Sequence, residues 1–165
     1  MKTIIHDLEE KEFKKIKFNS EDKVIAAKKC KNHCIGCFNC WTKHPTVCAI
    51  QDEYSNIVES LEKSDELVLI SKNRYGCIDS NVKRVIERCI GYILPFFTER
   101  NGLMHHEKRF NKPITLSIYT YNNKNSEDYT CLEKLTKAIA INLGANKYKT
   151  IMSKNLKEIN NNVYF

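Results

Sequence analysis

Glu66-Leu67-Val68-Leu69-Ile70-Ser71 is an uninterrupted apolar run of the kind buried on both faces, at the middle of a parallel sheet. Pro113-Ile114-Thr115-Leu116-Ser117-Ile118-Tyr119 repeats the pattern further along. Between the two, Val82, Val85, Ile86, Cys89, Ile90, Ile93 and Leu94 recur at helical spacing and predict a long helix over 80–97. Residues 95–112 read as irregular, with aromatics, His105-His106 and a basic run. On the N-terminal side, Tyr54, Ile57, Val58 and Leu61 share one helical face, with Asp52 as N-cap and Ser64-Asp65 as the stop. Thr3 to Asp7 and Asp22 to Ala27 read as short strands. The stretch between them carries Leu8, Phe13 and Ile16 among charges and is short for a helix standing on its own face.

On the C-terminal side, a polar loop from Tyr121 to Asp128 precedes a helix bearing Leu132, Leu135, Ile139 and Leu143. Gly144 is placed to end it. Tyr148 to Met152 predicts a last strand, and the tail from Asn155 to Phe165 is weakly patterned. Strands alternating with helices predict one α/β domain over residues 1–165, with five parallel strands and helices on both faces. Ligands of such sheets lie beyond the C-terminal ends of the strands, so loops 7–12, 71–80 and 119–128 are the places to look.

Composition narrows the function classes. The chain has 165 residues, 27 Lys+Arg against 20 Asp+Glu, and a formal charge of +7. The positive charge is dispersed, in Lys14-Lys15, Lys28-Lys29, Lys108-Arg109 and single sites, rather than gathered on a stripe. That argues for a solvated surface with some attraction for anionic ligands, and against nucleic acid as partner. No apolar run approaches the ~20 residues of a membrane span, so no membrane partner is expected. Met1 to Asp7 is a short apolar stretch followed at once by Glu9, Glu10 and Glu12, so a cytoplasmic location is expected.

Eight cysteines are the anomaly, and five of them fall between Cys30 and Cys48. Without a secretory signal, a disulfide scaffold is a poor explanation. Cys34, Cys37 and Cys40 are spaced C-x2-C-x2-C, with Cys48 further on. That spacing suits three corners of a [4Fe-4S] cluster with a distal fourth ligand, or a tetrahedral zinc. His33 and His44 are substitute ligands. The plainer reading makes these cysteines small buried residues, or oxidisable thiols, in a loop anchored by Phe38 and Trp41. Cys77, Cys89 and Cys131 read as core or loop residues.

The run from Cys34 to Lys43, with Pro45, Cys48 and Asp52, resembles the cysteine-bearing branch of the flavodoxin-like NAD(P)H-dependent FMN reductases. Thr46 stands where that branch has Gly, and Glu53-Tyr54 where it has Asp-Met. Arg74-Tyr75-Gly76, then Lys83 and Glu87-Arg88, are similar to its loop and following helix. Gly91-Tyr92, Pro95-Phe96, His105-His106, Arg109 and Lys112-Pro113 are similar to its middle region. The resemblance covers roughly residues 30–120. It implies a flavodoxin-like three-layer α/β/α sandwich with strand order 2-1-3-4-5. It also implies FMN as cofactor, NAD(P)H and a small electron acceptor as partners, and a homodimer or homotetramer. The iron-sulfur flavoproteins, a related group, imply a [4Fe-4S] cluster on Cys34, Cys37, Cys40 and Cys48. FMN is expected over Asn73, Arg74, Tyr75, Gly76 and Cys77, with Tyr119 and Tyr121 framing the ring. No catalytic side chain is assigned, and His105-His106 is expected at a subunit interface.

One departure is large. The family binds the FMN phosphate in a Gly/Ser-rich loop at a helix N-terminus, where free amides and the positive helix end hold the dianion. This chain has His6-Asp7-Leu8-Glu9-Glu10 there, with a shortened or missing first helix, and its carboxylates are expected to repel a phosphate. Lys72 or Arg74 could then approach the phosphate from the other side. Two readings follow: an FMN-dependent oxidoreductase, or a degenerate relative that has lost FMN and serves as a metal-binding or redox-sensing oligomer.

Overall fold

The computed structural model describes residues 1–100, 102–123, 125 and 127–163, without the side chains of 160–163. Its elements in chain order are β1 (Lys2–His6), α1 (Glu10–Phe13), β2 (Lys23–Ala26), α2 (Ile57–Lys63), β3 (Glu66–Lys72), α3 (Ser80–Glu87), β4 (Ile93–Arg100), β5 (Leu103–Lys108), β6 (Thr115–Tyr121), α4 (Asp128–Leu143), β7 (Lys147–Met152) and α5 (Leu156–Val163).

Five strands form one sheet in the order β2-β1-β3-β6-β7. Every pairing in it is parallel, with Ile4 opposite Val68 and Lys72 opposite Tyr121. Discounting the separate β4-β5 hairpin, this is the expected 2-1-3-4-5 order of a flavodoxin-like sandwich. Side chains alternate across each strand and so feed two cores. Ile5, Leu67, Leu69, Leu116 and Ile118 pack with Val58 and Leu61 of α2, Val82 and Val85 of α3, and Leu132 of α4. Ile4, Val68, Ile70, Tyr119 and Tyr121 pack on the other face with Leu8, Ile16 and Ile159 of α5.

Four details differ from the sequence reading. The predicted helix over 80–97 stops at Glu87. A 3-10 turn at Ile90–Tyr92 and the β4-β5 hairpin replace its end and the irregular stretch 95–112. Gly91 and Pro95 explain the break. Gly91 lies against the cysteine loop, where an added Cβ would meet the Cys40 Cβ at 3.1 Å. Pro95 disfavours helical backbone at Leu94. Asp52 does not cap α2, which begins at Ile57, because its carboxylate is drawn to Arg88. The tail forms α5, docked by Ile159. α1 is a single turn, as short as the sequence suggests. Among the described residues no helix is long and apolar enough to cross a membrane.

Candidate functional site

Three loops leave the C-terminal edge of the sheet, and one carboxylate ties them together. Asp7 follows β1 and is buried. It accepts hydrogen bonds from the Lys72 amide at 2.9 Å, the Ser71 hydroxyl at 3.2 Å and the Tyr121 hydroxyl at 3.0 Å. Burial raises its pKa above the usual carboxylate range, and the bonds from Lys72 and Tyr121 offset part of the rise. Beside it, the Ser71 hydroxyl accepts from the Asp79 amide at 2.7 Å. Asp79 caps α3 by accepting from the Asn81 amide, and it pairs with Arg74 Nε at 2.9 Å. Burial opposes the charge on Asp79, but the bonds from Asn81 and Arg74 outweigh it and hold the pKa low.

The loop after β1 is closed on itself rather than open to an anion. His6 is stacked on Phe13 and accepts from the Leu8 amide through Nδ1. Burial, with a smaller push from Lys28, lowers its pKa to about 4, so the ring is neutral at pH 7. Glu9 and Glu12 form a reciprocal capping box on α1, and Glu9 also pairs with Lys28. The carboxylates expected to repel a phosphate are therefore each committed to a partner within the chain.

Beyond β3 the chain makes a tight turn closed by reciprocal backbone bonds between Arg74 and Cys77. Tyr75 (φ 55°) and Gly76 (φ 76°) occupy its centre, the signature of a type I′ turn. Gly76 is required twice over: its φ is positive, and an added Cβ would lie 2.6 Å from the Cys131 Cβ. The Asn73 amide bonds to the Tyr121 carbonyl, and the Gly76 amide to the Asn73 side chain, which also holds Asp128. The turn is thus rigid, with the amides of Asn73, Arg74, Gly76 and Cys77 engaged. Tyr75 stands at its tip, 92 % exposed.

The expected ring-binding residues are gathered in part. Asn73, Arg74 and Tyr75 line a cleft of about 300 Å³ together with Lys72, Asn122 and Asp128. Gly76 and Cys77 do not line it: Gly76 lies against Cys131, and Cys77 packs on the first core. Tyr119 is buried in the second core, under Lys149, and Tyr121 presents its hydroxyl to Asp7.

A larger cleft of about 1050 Å³ opens alongside, lined by Lys15, Lys28, Lys72, Lys154 and Lys157 with Glu9, Glu12, Tyr121 and Asn122. Sequence reading missed Lys154 and Lys157. The signal available was Leu156 and Ile159 three residues apart in a stretch of otherwise polar residues, a short amphipathic helix.

The cysteines lie elsewhere, beside α3 and the hairpin. Cys34, Cys37, Cys40 and Cys48 all border one cavity of about 20 Å³, with Arg88 in its wall. Arg88 is fully buried, forks onto Asp52 with two bonds of 2.7 Å, and leaves its Nε without a partner. The guanidinium holds Asp52 down at about 2. Burial pushes the Cys40 thiol up, and the neighbouring thiols add to the rise. The donor chemistry suits a thiophilic metal, but the arrangement does not. The cavity is no larger than a water, and among the described residues no three ligands are arranged around one point. Cys89 is buried and raised to about 12, Cys77 is half-buried, and Cys131 is exposed. His106 is sandwiched between Trp41 and Phe97.

No family model and no curated protein matches this chain. Solved structures do. An FMN-dependent NADH-azoreductase from Bacillus anthracis, in complex with FMN, matches over 99 % of this chain and 93 % of its own, with 12 % identity and TM-score 0.53. An NADH:FMN oxidoreductase (EMOB) in its apo form matches over 98 % and 84 %, with 7 % identity and TM-score 0.57. Smu.1420 from Streptococcus mutans matches over 99 % and 96 %, with 14 % identity and TM-score 0.61. At these identities the likeness is one of fold: the chain has a flavodoxin-like architecture and shares it with these structures.

Proposed function

We propose that the chain is an NAD(P)H-dependent FMN oxidoreductase. The observation that carries the reading is the pair of adjoining clefts at the C-terminal edge of a flavodoxin-like sheet, joined at Lys72 and Asn122, which line both. FMN, when bound, supplies the two-electron chemistry between NAD(P)H and a small acceptor. The chain supplies position. The 73–77 turn is a rigid platform held by its own hydrogen bonds and by Asn73 to Asp128. Tyr75 offers an exposed aromatic face, and Asp7, Ser71 and Asp79 lock the three loops in register. Exposed Phe96, Phe97, Leu103 and Met104 on the hairpin favour a homodimer or homotetramer, testable by light scattering.

Titrating purified protein with FMN tests the reading. Stoichiometric binding with a perturbed flavin spectrum supports it. Colourless protein that leaves free FMN unchanged sinks it, in favour of the degenerate relative.

The four thiols Cys34, Cys37, Cys40 and Cys48 bordering one cavity favour a second role, as ligands of a [4Fe-4S] cluster or zinc, in an arrangement other than the closed one described above. No step of the chemistry above passes through it. Iron, sulfide and zinc analysis after anaerobic purification decides the matter. Stoichiometric metal that Cys37→Ser and Cys40→Ser abolish supports the role, and metal-free protein ends it.

A further inference from the structure

We infer that this chain holds the phosphate of its flavin nucleotide with lysine ammonium groups lining the larger cleft, chiefly Lys72, Lys154 and Lys157, and not with backbone amides at a helix N-terminus. The inference rests on the FMN reading above and adds where the dianion sits.

Three observations carry it. First, the loop after β1 turns its amides inward: Leu8 donates to His6 and Glu9 to Glu12. α1 is one turn long and closed by the Glu9–Glu12 capping box, and the Lys72 amide is held by Asp7. Second, the cleft is cationic. Five lysines line it against two glutamates, of which Glu9 already pairs with Lys28. Among the described residues, Lys15, Lys72, Lys154 and Lys157 make no salt bridge, so no ion pair among them ties these ammonium groups down. Third, the shape fits a tailed ligand. The short α1 leaves room between itself and the start of α5. The 300 Å³ cleft over the 73–77 turn meets the 1050 Å³ cleft at Lys72 and Asn122. A ring on the turn would lead its phosphate tail toward the lysines. Sequence reading has carboxylates repelling a phosphate at this edge. Asp7 is hydrogen-bonded, Glu9 and Glu10 are paired with Lys28 and Lys14, and the described lining carries more lysines than glutamates, so the cleft attracts an anion.

A phosphate monoester could also come from the 2′-phosphate of NADPH, so the test separates the two. FMN and riboflavin are titrated against the whole chain by flavin fluorescence, at low and physiological salt. FMN should bind about 100-fold more tightly than riboflavin, and salt should weaken FMN alone. Lys154→Met and Lys157→Met, both at exposed positions, should each weaken FMN about tenfold and leave riboflavin unchanged. Equal affinity for the two flavins overturns the inference while the FMN reading stands. Lysine variants that change NADPH against NADH affinity, but not FMN against riboflavin, also overturn it and assign the dianion to the nicotinamide nucleotide. No binding of either flavin overturns both readings.

Discussion

The cationic cleft and the cysteine pocket treat charge in opposite ways. Several lysines line the cleft, and among the described residues Lys28 is the one of them in a salt bridge, where it neutralises Glu9. In the cysteine pocket a single guanidinium is fully buried, matched to one carboxylate, and the cavity beside it is nearly closed. Exposed uncompensated charge costs little stability and attracts a ligand. Buried compensated charge has no field to spare for an anion and makes the fold depend on its partner. The contrast sets the proposed phosphate site apart from a charge pair that holds the fold together.

The largest effect expected from breaking this contrast is at the node. Asp52→Ala leaves the Arg88 cation buried and unpaired and should cost about 3–5 kcal/mol in denaturant unfolding. Arg88→Met should cost less, because Asp52 keeps some contact with water. Equal costs would mean that Asp52 is more desolvated than its exposure indicates. Gly76→Ala comes next. The left-handed φ and the approach to Cys131 should cost about 1–3 kcal/mol and shift the turn, read as lower thermal stability together with weaker FMN binding. Unchanged binding would remove the turn from the flavin platform.

A smaller effect distinguishes two carboxylates by pH. Asp52 is depressed to about 2, so its contribution is present above its unfolded pKa of about 4 and is lost as pH falls toward 2. Asp7 is raised, so the native state holds its proton longer than the unfolded chain, and stability declines as pH rises from about 4 through the folded value. Asp7→Asn should flatten that decline, seen as denaturation midpoints across the pH range, while leaving the acid-side loss from Asp52 intact. The smallest stability effect is expected for Tyr75→Ala. A side chain 92 % exposed should change stability by less than about 0.5 kcal/mol. FMN binding should nonetheless weaken, and a variant that binds FMN as well as the parent would leave Tyr75 without a role.

The central strands and α4 with its Gly144 stop were legible because each is written in neighbouring residues. The hairpin was not. Ile93 and Leu94 continue the apolar period of α3, and only the close approach of Gly91 to the cysteine loop shows why the helix cannot run on. α5 was missed because a two-turn helix with few apolar positions has almost no signal until Ile159 finds its core. The site was legible in outline: the 71–80 loop was named, but the partners of its acidic neighbours were not.

Local periodicity, which depends only on residues within a turn or a pleat of one another, was enough to determine the layers and the five strands of the parallel sheet. The electrostatics of the cleft was decided by tertiary structure alone. Asp7 is tied down by a tyrosine 114 positions away and Glu9 by a lysine 19 positions away. Coulomb energy follows distance through space, so whether a loop repels or attracts a phosphate is settled only when the chain has folded.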